Sequence, residues 1–259
     1  PSGNPQPITS KPAIVAHPDA GFILLFGTGR FFVSGDDVRS ADPEVDTFYG
    51  IWDNNMAVAS VGERVLPSGT QPDTILQPQA IIEEDTELFG TQLQTTRTLS
   101  NNAIEYTTPP IQFGWYLDLV SPVNGEQGER VIADPVLTVS EGNSPLIVFN
   151  TFAPTGGCET AGGFSALLAL DPINGGRTNF AVFDLNGDDT FTADDADSGS
   201  GAHDSGLITG STIAPVALIS STDGTVTYAL TAALSGQTNV IAIQGSALNL
   251  GRQSWRELQ

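Results

Sequence analysis

The sequence predicts an all-β fold and, within that class, a β-propeller. Helical periodicity is scarce, and short apolar runs recur between Gly, Pro, Asn and Asp residues. A loosely repeated hairpin unit also recurs along the chain. The 259 residues are 39% apolar, which is enough for a sizeable core, and the 28 glycines and 17 prolines are spread out as in a chain with many turns.

The predicted strands are short and follow one another along the whole chain. They lie at 13–17, 22–27, 47–52, 86–99, 111–119, 136–139, 146–152, 165–170, 179–183, 214–220, 225–230 and 240–245. Turn sequences such as DPINGG, STDGT and PVNGE separate several of them. The Gly/Ser-rich stretch 198–211 is predicted to be a loop. About a dozen strands with little helix are typical of a sandwich, a barrel or a propeller.

The repeated unit favours the propeller among these three. A strand led by proline, a polar turn with glycine and a second apolar strand occur in KPAIVAHPDAGFILLFGTGR, ADPVLTVSEGNSPLIVFNTFAP and IAPVALISSTDGTVTYALTA. Hairpins of this kind are typical of propeller blades. At about 40–50 residues per four-stranded blade, the chain would supply about five or six blades. No composition break appears, so residues 1–259 are predicted to be a single domain or part of one.

The strong negative charge excludes several classes of partner. The formal net charge is -21, and Lys11 is the single lysine. Nucleic acid is not expected as a partner, because binding phosphate requires positive charge. Attachment to an anionic membrane through a basic patch is excluded for the same reason. No apolar run reaches the roughly 18 residues of a membrane helix, so direct membrane insertion is not expected either.

The sequence offers little for catalysis, and an enzyme is not predicted. Cys158 is the single cysteine, and we expect a buried, inert thiol. The two histidines, His17 and His203, lie in sequences typical of turns and are predicted to be surface residues. Outside one acidic loop, no pair of carboxylates suggests a catalytic site.

That acidic loop is FDLNGDDTFTADDAD, residues 183–197, with six aspartates in fifteen residues and no lysine or arginine. Numbered from Asp184 as position 1, positions 3, 5, 7, 9 and 12 are Asn186, Asp188, Thr190, Thr192 and Asp195. This is the spacing of an EF-hand-type calcium loop, in which side chains at 1, 3 and 5 and the carbonyl at 7 converge on the ion. Since the carboxylates would otherwise repel one another, the sequence predicts bound calcium.

The loop departs from the EF-hand pattern at position 6, where Asp189 replaces the usual glycine. Aspartate tolerates the left-handed backbone conformation better than most residues, and Gly187 can absorb part of the strain. The preceding NFAVF reads as a strand, and no amphipathic helix follows the loop. The sequence therefore predicts a calcium loop between strands rather than a helix–loop–helix hand.

Several segments, in their order along the chain, resemble a known family. They are GFILLFGTGRFF, DTFYGIWDN, FGWYLDLVSPVNGEQGERVIADPVL, VFNTFAPTGGCETAGGFSALLALDPINGG, the acidic loop and the terminal GRQSWREL. From about residue 13 to residue 258, the chain is similar to the C-terminal β-propeller domain of the PilY/PilC family. These proteins are tip-associated adhesins and assembly factors of bacterial type IV pili.

The resemblance implies a modified, quinoprotein-like seven-bladed propeller, of which this chain would hold the C-terminal blades. It also implies a calcium loop whose ligands correspond to Asp184, Asn186, Asp188 and the carbonyl of Thr190. Position 9, often acidic in the family, is Thr192 here. The last ligand therefore stays open between Thr192, Asp194 and Asp195, and the EF-hand count favours Asp195.

The resemblance further implies a role in pilus assembly, adhesion and twitching motility, with calcium linked to pilus extension and retraction. The expected partners are pilus proteins such as minor pilins and host or surface receptors. The expected location is the bacterial cell surface, at the pilus tip or the outer membrane. The remaining blades would come from the N-terminal part of the same protein or from another chain. No Arg-Gly-Asp motif is present, so integrin binding is not implied.

Two other classes of function compete with this interpretation. A calcium-stabilised surface-layer or filament protein would share the acidity and the turns, but not the order of the segments. A quinoprotein-like enzyme would often need a vicinal disulfide, which one cysteine cannot form. The three tryptophans, Trp52, Trp115 and Trp255, are predicted to pack between blades rather than to bind sugar.

Overall fold

The computed structural model describes residues 6–54, 75–107, 111–155, 162–197, 201–210, 214–233 and 236–246. Within these ranges the regular structure is fifteen strands and two 3-10 turns, Glu141–Asn143 and Ala193–Asp195. The all-β prediction is therefore confirmed. In the same ranges, no helix has the length and apolar character needed to cross a bilayer.

The strands are numbered in chain order. They are β1 Ala13–Ala16, β2 Phe22–Gly27, β3 Thr47–Asp53, β4 Gln77–Gln79, β5 Ile81–Phe89, β6 Gln92–Leu99, β7 Gly114–Asp118, β8 Val136–Ser140, β9 Ser144–Asn150, β10 Ala153–Pro154, β11 Gly163–Leu170, β12 Gly206–Gly210, β13 Ala217–Ser220, β14 Val226–Ala232 and β15 Thr238–Gln244.

The strands form three sheets. The first has the order β1-β2-β3-β7-β4, and the second has the order β5-β6-β12-β11-β9-β8, with β10 paired to β11. The third is β13-β14-β15. All pairings are antiparallel except that of β4 with β7.

Each proline-led unit of the sequence forms one hairpin at the edge of one sheet. These hairpins are β1–β2, β8–β9 and β13–β14. Proline is tolerated near a sheet edge because no ladder hydrogen bond is lost there. The described residues thus form three sheets, and the expectation of five or six four-stranded units is wrong. Part of the difference lies in the second sheet, which has seven strands from separate segments of the chain.

The second sheet lies in the middle, with both faces buried. Ile147, Phe149 and Leu168 pack with residues of β2, β3 and β7 in one core. Neighbours of opposite orientation, such as Val148 and Leu167, pack with β14, β15 and residues 182–185 in another. Successive side chains of a strand point to opposite faces, so a strand buried on both sides reads as a continuous apolar run. The runs in SPLIVFN and GFSALLAL have this origin.

Three predictions of secondary structure need correction, two of strands and one of a loop. Residues 86–99 are not one strand: β5 and β6 form a hairpin that turns at residues 90–91, with Gly90 at φ 59°. Residues 179–183 are not a strand, and only Phe183 forms an isolated bridge, to Ile243. The Gly/Ser-rich stretch 198–211, predicted as a loop, contains β12, which pairs with β6 on one side and β11 on the other.

A buried ionic network joins the second sheet to the loop before β8. Arg97 of β6 is fully buried, and its Nε and Nη1 atoms donate to Glu84 at 2.8 Å and to Glu129 at 2.7 Å. The Thr151 hydroxyl donates to the same Glu129 oxygen at 2.5 Å. The two carboxylates raise the pKa of Arg97 against the opposing effect of burial. The second carboxylate oxygen of Glu129 has no partner in the described residues.

Candidate metal centre

The acidic loop is anchored at its start to the core between the second and third sheets. Phe183 and Leu185 are buried there on either side of Asp184. The N–H of Asp184 donates to the carbonyl of Ala242 in β15 at 3.2 Å. Asn186 and the residues up to Asp194 lie nearer the surface. Position 1 of the loop is therefore fixed to a sheet, while positions 3 to 9 are accessible from solvent.

Position 1 organises the first turn of the loop. One carboxylate oxygen of Asp184 accepts from the N–H groups of Gly187 and Asp188 at 2.7 and 3.1 Å, and the other accepts from Asp189 at 2.9 Å. Asp189 has φ 59° and Gly187 has φ 78°, so both adopt the left-handed conformation. The backbone turns at position 6 as the sequence predicted, with aspartate in the place of glycine.

The side chains at positions 3 and 5 lie together. The N–H of Asp188 donates to Asn186 Oδ1 at 2.9 Å, and Asn186 Nδ2 lies 3.3 Å from Asp188 Oδ2. Thr190 at position 7 donates both its hydroxyl and its N–H to Asp188 Oδ1, at 2.5 and 2.8 Å. These bonds to Thr190 are the main cause of a lowered pKa at Asp188. The carboxylate at position 5 is thus held in its ionised form, which a cation requires.

Position 12 closes the loop through the backbone. Asp195 is only 1% exposed, and one of its oxygens accepts from the N–H groups of Leu185 and Asn186 at 2.9 and 3.3 Å. The other accepts from the N–H of Thr192 at 3.0 Å, within a capping box of the 3-10 turn. Thr192 is exposed, and its hydroxyl accepts from the N–H of Asp194. Thr192, Asp194 and Asp195 were left open for the last ligand. Of these, Asp195 is the one whose carboxylate accepts from N–H groups at both ends of the loop.

These residues fit calcium at the first positions of the loop. Asp184, Asn186 and Asp188 offer only oxygen atoms once the Asn186 amide turns its carbonyl to the ion, and the backbone already turns between positions 5 and 7. The closing residue Asp195 is oriented toward backbone N–H groups, and the carboxylates at positions 1, 5 and 12 do not meet within 4.8 Å.

A second carboxylate cluster lies nearby and was missed from the sequence. Glu83 and Asp85 of β5 and Asp197 bring one oxygen each to within 4.8 Å of one another. The charge of Asp197 is the main cause of a raised pKa at Glu83. The sequence predicted no catalytic pair of carboxylates outside the loop, and it did not predict that Asp197 at the end of the loop meets two carboxylates of β5. The alternation in EEDTE, with acidic residues on one face of an edge strand, was the available signal.

Asp204 lies beside this cluster and is 3% exposed. Its Oδ1 accepts from the Thr98 hydroxyl at 3.0 Å, whereas its Oδ2 is without a partner in the described residues. Burial raises the pKa of Asp204 to about 6, and the charges of Asp197 and Glu87 act in the same direction. A cleft of about 670 Å³, lined by residues that include Asn186, Asp194, Asp197 and His203, connects this region with the acidic loop.

The remaining residues singled out in the sequence are the two histidines, the three tryptophans and the single cysteine. His17 is buried, with its ring 4.6 Å from that of Trp52 and 4.4 Å from that of Tyr106, so the prediction of a surface histidine is wrong. His203 is half-buried at the cleft. Trp52 and Trp115 are buried in the core between the first and second sheets. Cys158 and Trp255 lie outside the described residues.

Comparison with known proteins places this fold and loop in a family. The family model described as the PilY1 beta-propeller domain matches residues 1–92. The crystal structure of the Pseudomonas aeruginosa PilY1 C-terminal domain superposes with a TM-score of 0.73 at 26% identity, over 93% of this chain and 45% of that chain. The type IV pilus biogenesis factor PilY1 of Pseudomonas aeruginosa is 33% identical over 189 residues, which cover 71% of this chain and 15% of that protein. The chain belongs to the PilY1 family. The predicted resemblance and the β-propeller class are thereby confirmed, while closure of a seven-bladed ring stays a prediction.

Full-length relatives extend this comparison. A PilY1 homolog of Xylella fastidiosa is 28% identical over 266 aligned residues, covering 99% of this chain and 18% of the homolog. The chain thus spans less than a fifth of the length of these PilY1 relatives.

Proposed function

We propose that this chain is a calcium-binding propeller segment of a type IV pilus biogenesis factor. The observation that carries the proposal is that relatives aligned over most of the chain are pilus biogenesis factors of the PilY1 family. In this role the segment acts by binding other proteins, not by catalysis. Its partners are pilus proteins such as minor pilins and receptors on a host or another surface. It works at the cell surface, in pilus assembly, adhesion and twitching.

Calcium would be held by the side chains of Asp184, Asn186 and Asp188 and the carbonyl of Thr190, with Thr192, Asp194 or Asp195 completing the set. A bound ion would neutralise the carboxylates that crowd this loop. Because Phe183 and Leu185 are buried beside position 1, ordering of the loop would be transmitted to the packing of β15. The loop can therefore couple calcium to the surface that the propeller presents.

The calcium site can be tested by calorimetric titration of calcium into protein treated with chelator. We expect binding heat in the wild type and a loss of the loop component in Asp184→Ala. Asp223→Ala is the matched control, because exposed Asp223 also accepts from neighbouring N–H and hydroxyl groups in a polar turn. An Asp184→Ala isotherm that equals the wild-type one would refute the loop as a calcium site.

The pilus role can be tested in cells by deleting the gene and complementing it with the full-length protein. Deletion is expected to abolish surface pili or twitching, and wild-type complementation to restore both. Asp188→Ala is expected to shift the balance between extension and retraction, whereas Asp223→Ala behaves as wild type. Normal piliation and motility in the deletion strain would refute the assignment to pilus biogenesis.

A further inference from the structure

The carboxylate cluster of Glu83, Asp85 and Asp197 is built by two separate segments. Glu83 and Asp85 are two residues apart on β5, so their side chains lie on the same face of the sheet. Asp197 comes from the segment after the 3-10 turn Ala193–Asp195, and its N–H donates to the carbonyl of Ala202 at 3.0 Å. The cluster thus joins the edge of the second sheet to the last residue of the acidic loop.

The strand register extends the acidic face toward Asp204. Glu83 lies opposite Thr98 of β6, and the Thr98 hydroxyl donates to Asp204 Oδ1. The remaining oxygen, Asp204 Oδ2, is buried and has no hydrogen-bond partner in the described structure. Asp204 is close enough to Asp197 for the two charges to act on each other. A buried carboxylate oxygen without a hydrogen-bond partner therefore lies beside the strand pair that carries Glu83, one threonine away from the cluster.

The arginine of β6 does not neutralise this face. Arg97 lies opposite Glu84 in the register, and its Nε and Nη1 atoms donate to Glu84 and Glu129. Because Glu84 alternates with Glu83 and Asp85 along β5, this ionic network lies on the other face of the sheet. Asp197 and Asp204 are both 3% exposed, and a buried carboxylate is costly unless a cation or a proton offsets its charge.

We propose that Glu83, Asp85 and Asp197 bind a second divalent cation, calcium, with the Asp204 carboxylate behind them contributing charge. Three carboxylate oxygens within 4.8 Å of one another match the spacing around one calcium ion, whose ligand oxygens lie at about 2.3–2.6 Å. An all-carboxylate set favours a hard cation over zinc or copper. The cleft that is lined by Asp197 gives the ion a path from solvent.

The test is calorimetric titration of calcium into protein treated with chelator, using variants that separate the two sites. Asp184→Asn with Asp188→Asn removes the acidic-loop site. Asp85→Asn alters the second cluster at an exposed position on an edge strand, where the fold should tolerate it. Asp37→Asn, at an exposed position in the loop after β2, is the control for the loss of one charge.

We expect the loop double variant to retain one calcium-binding component, and the addition of Asp85→Asn to weaken that component by about tenfold or more. Adding Asp37→Asn instead should leave it unchanged. A loop double variant that binds no calcium, or binding unaffected by Asp85→Asn, would overturn the second site. If the loop site alone fails, the wild type would show a single calcium-binding component. That component would be lost in Asp85→Asn and retained in Asp184→Asn.

Discussion

Asp189 has a backbone conformation that few side chains tolerate. It lies at φ 59°, at the point where the acidic loop turns between positions 5 and 7, and its N–H donates to Asp184. Aspartate and asparagine visit the left-handed region more readily than other residues with a side chain. The residue at position 6 therefore keeps the turn that glycine makes in other loops of this type, and the sequence allowed this to be predicted.

Substitution of Asp189 separates backbone strain from charge. Asp189→Val and Asp189→Asn both remove the negative charge, but a β-branched side chain is strained at this φ. We expect Asp189→Val to lower the free energy of unfolding by about 1–2 kcal/mol relative to Asp189→Asn. Urea unfolding of protein treated with chelator measures the difference. Equal stabilities of the two variants would show that the turn is not maintained in solution.

The buried position of His17 could not be predicted from the residues next to it in the sequence. The neighbouring Pro18 suggested an exposed turn, but the ring packs against Trp52 and Tyr106 from distant segments. The Asp19 N–H donates to Nδ1 of His17, so the neutral ring carries its proton on Nε2. Burial lowers the pKa of His17, although Asp19 acts in the opposite direction. Only the three-dimensional contacts contain this information.

The lowered pKa of His17 predicts a pH dependence of stability. Below its unfolded value of 6.5, the unfolded chain binds more protons at this residue than the folded protein, so folding is weakened as the pH falls. The stability advantage of wild type over His17→Gln should be largest above about pH 7 and shrink on acidification below 6.5. Urea unfolding across this range measures it. An advantage independent of pH would contradict the burial of a neutral ring.

Among the secondary-structure elements, the strands buried on both faces were predicted best. Continuous apolar runs identify β9 and β11 without knowledge of their partners. The turn between β5 and β6, the first half of β5 and the glycine-bounded β12 were not identified, because their residues resemble those of loops or of a continuous strand. Their strand conformation depends on pairing with neighbours in the sheet, which is a long-range property.

The hairpin β5–β6 depends on the buried pairing of Arg97 with Glu84 and Glu129. Arg97→Met would leave Glu129, which is 1% exposed, without its cationic partner. We expect a loss of about 3–5 kcal/mol in the free energy of unfolding. Arg30→Met is the control, since the Arg30 side chain is 53% exposed and its partner Asp36 keeps the N–H groups of Phe32 and Val33 as donors. Its loss should cost less than about 1 kcal/mol.

A double variant distinguishes loss of the ion pair from loss of packing. Arg97→Met combined with Glu129→Gln removes the unpaired buried charge, so the combined loss of stability should be smaller than the sum of the two single losses. Chemical unfolding of the four proteins gives the coupling. Additive losses would show that charge pairing does not account for the effect of Arg97.

For the molecule as a whole, chain length predicted five or six blades, whereas the described residues form three sheets, each with one proline-led repeat. Each repeat forms an edge hairpin of one sheet, and the sheets pack through two cores. The acidic loop was located from ligand spacing alone. The cluster of Glu83, Asp85 and Asp197 could be located only in the folded chain, because it forms where β5 lies against the end of the loop. Spacing along the chain reveals local sites, and only folding reveals sites between segments.

The most direct test of a calcium-binding propeller in this PilY1-family chain is a crystal structure of the protein grown with saturating calcium, beside one of Asp188→Ala. In the wild type we expect an ion with oxygen ligands from Asp184, Asn186, Asp188 and the carbonyl of Thr190, at about 2.3–2.6 Å. The same map identifies the last ligand among Thr192, Asp194 and Asp195. An acidic loop with no ion at saturating calcium would contradict the central claim.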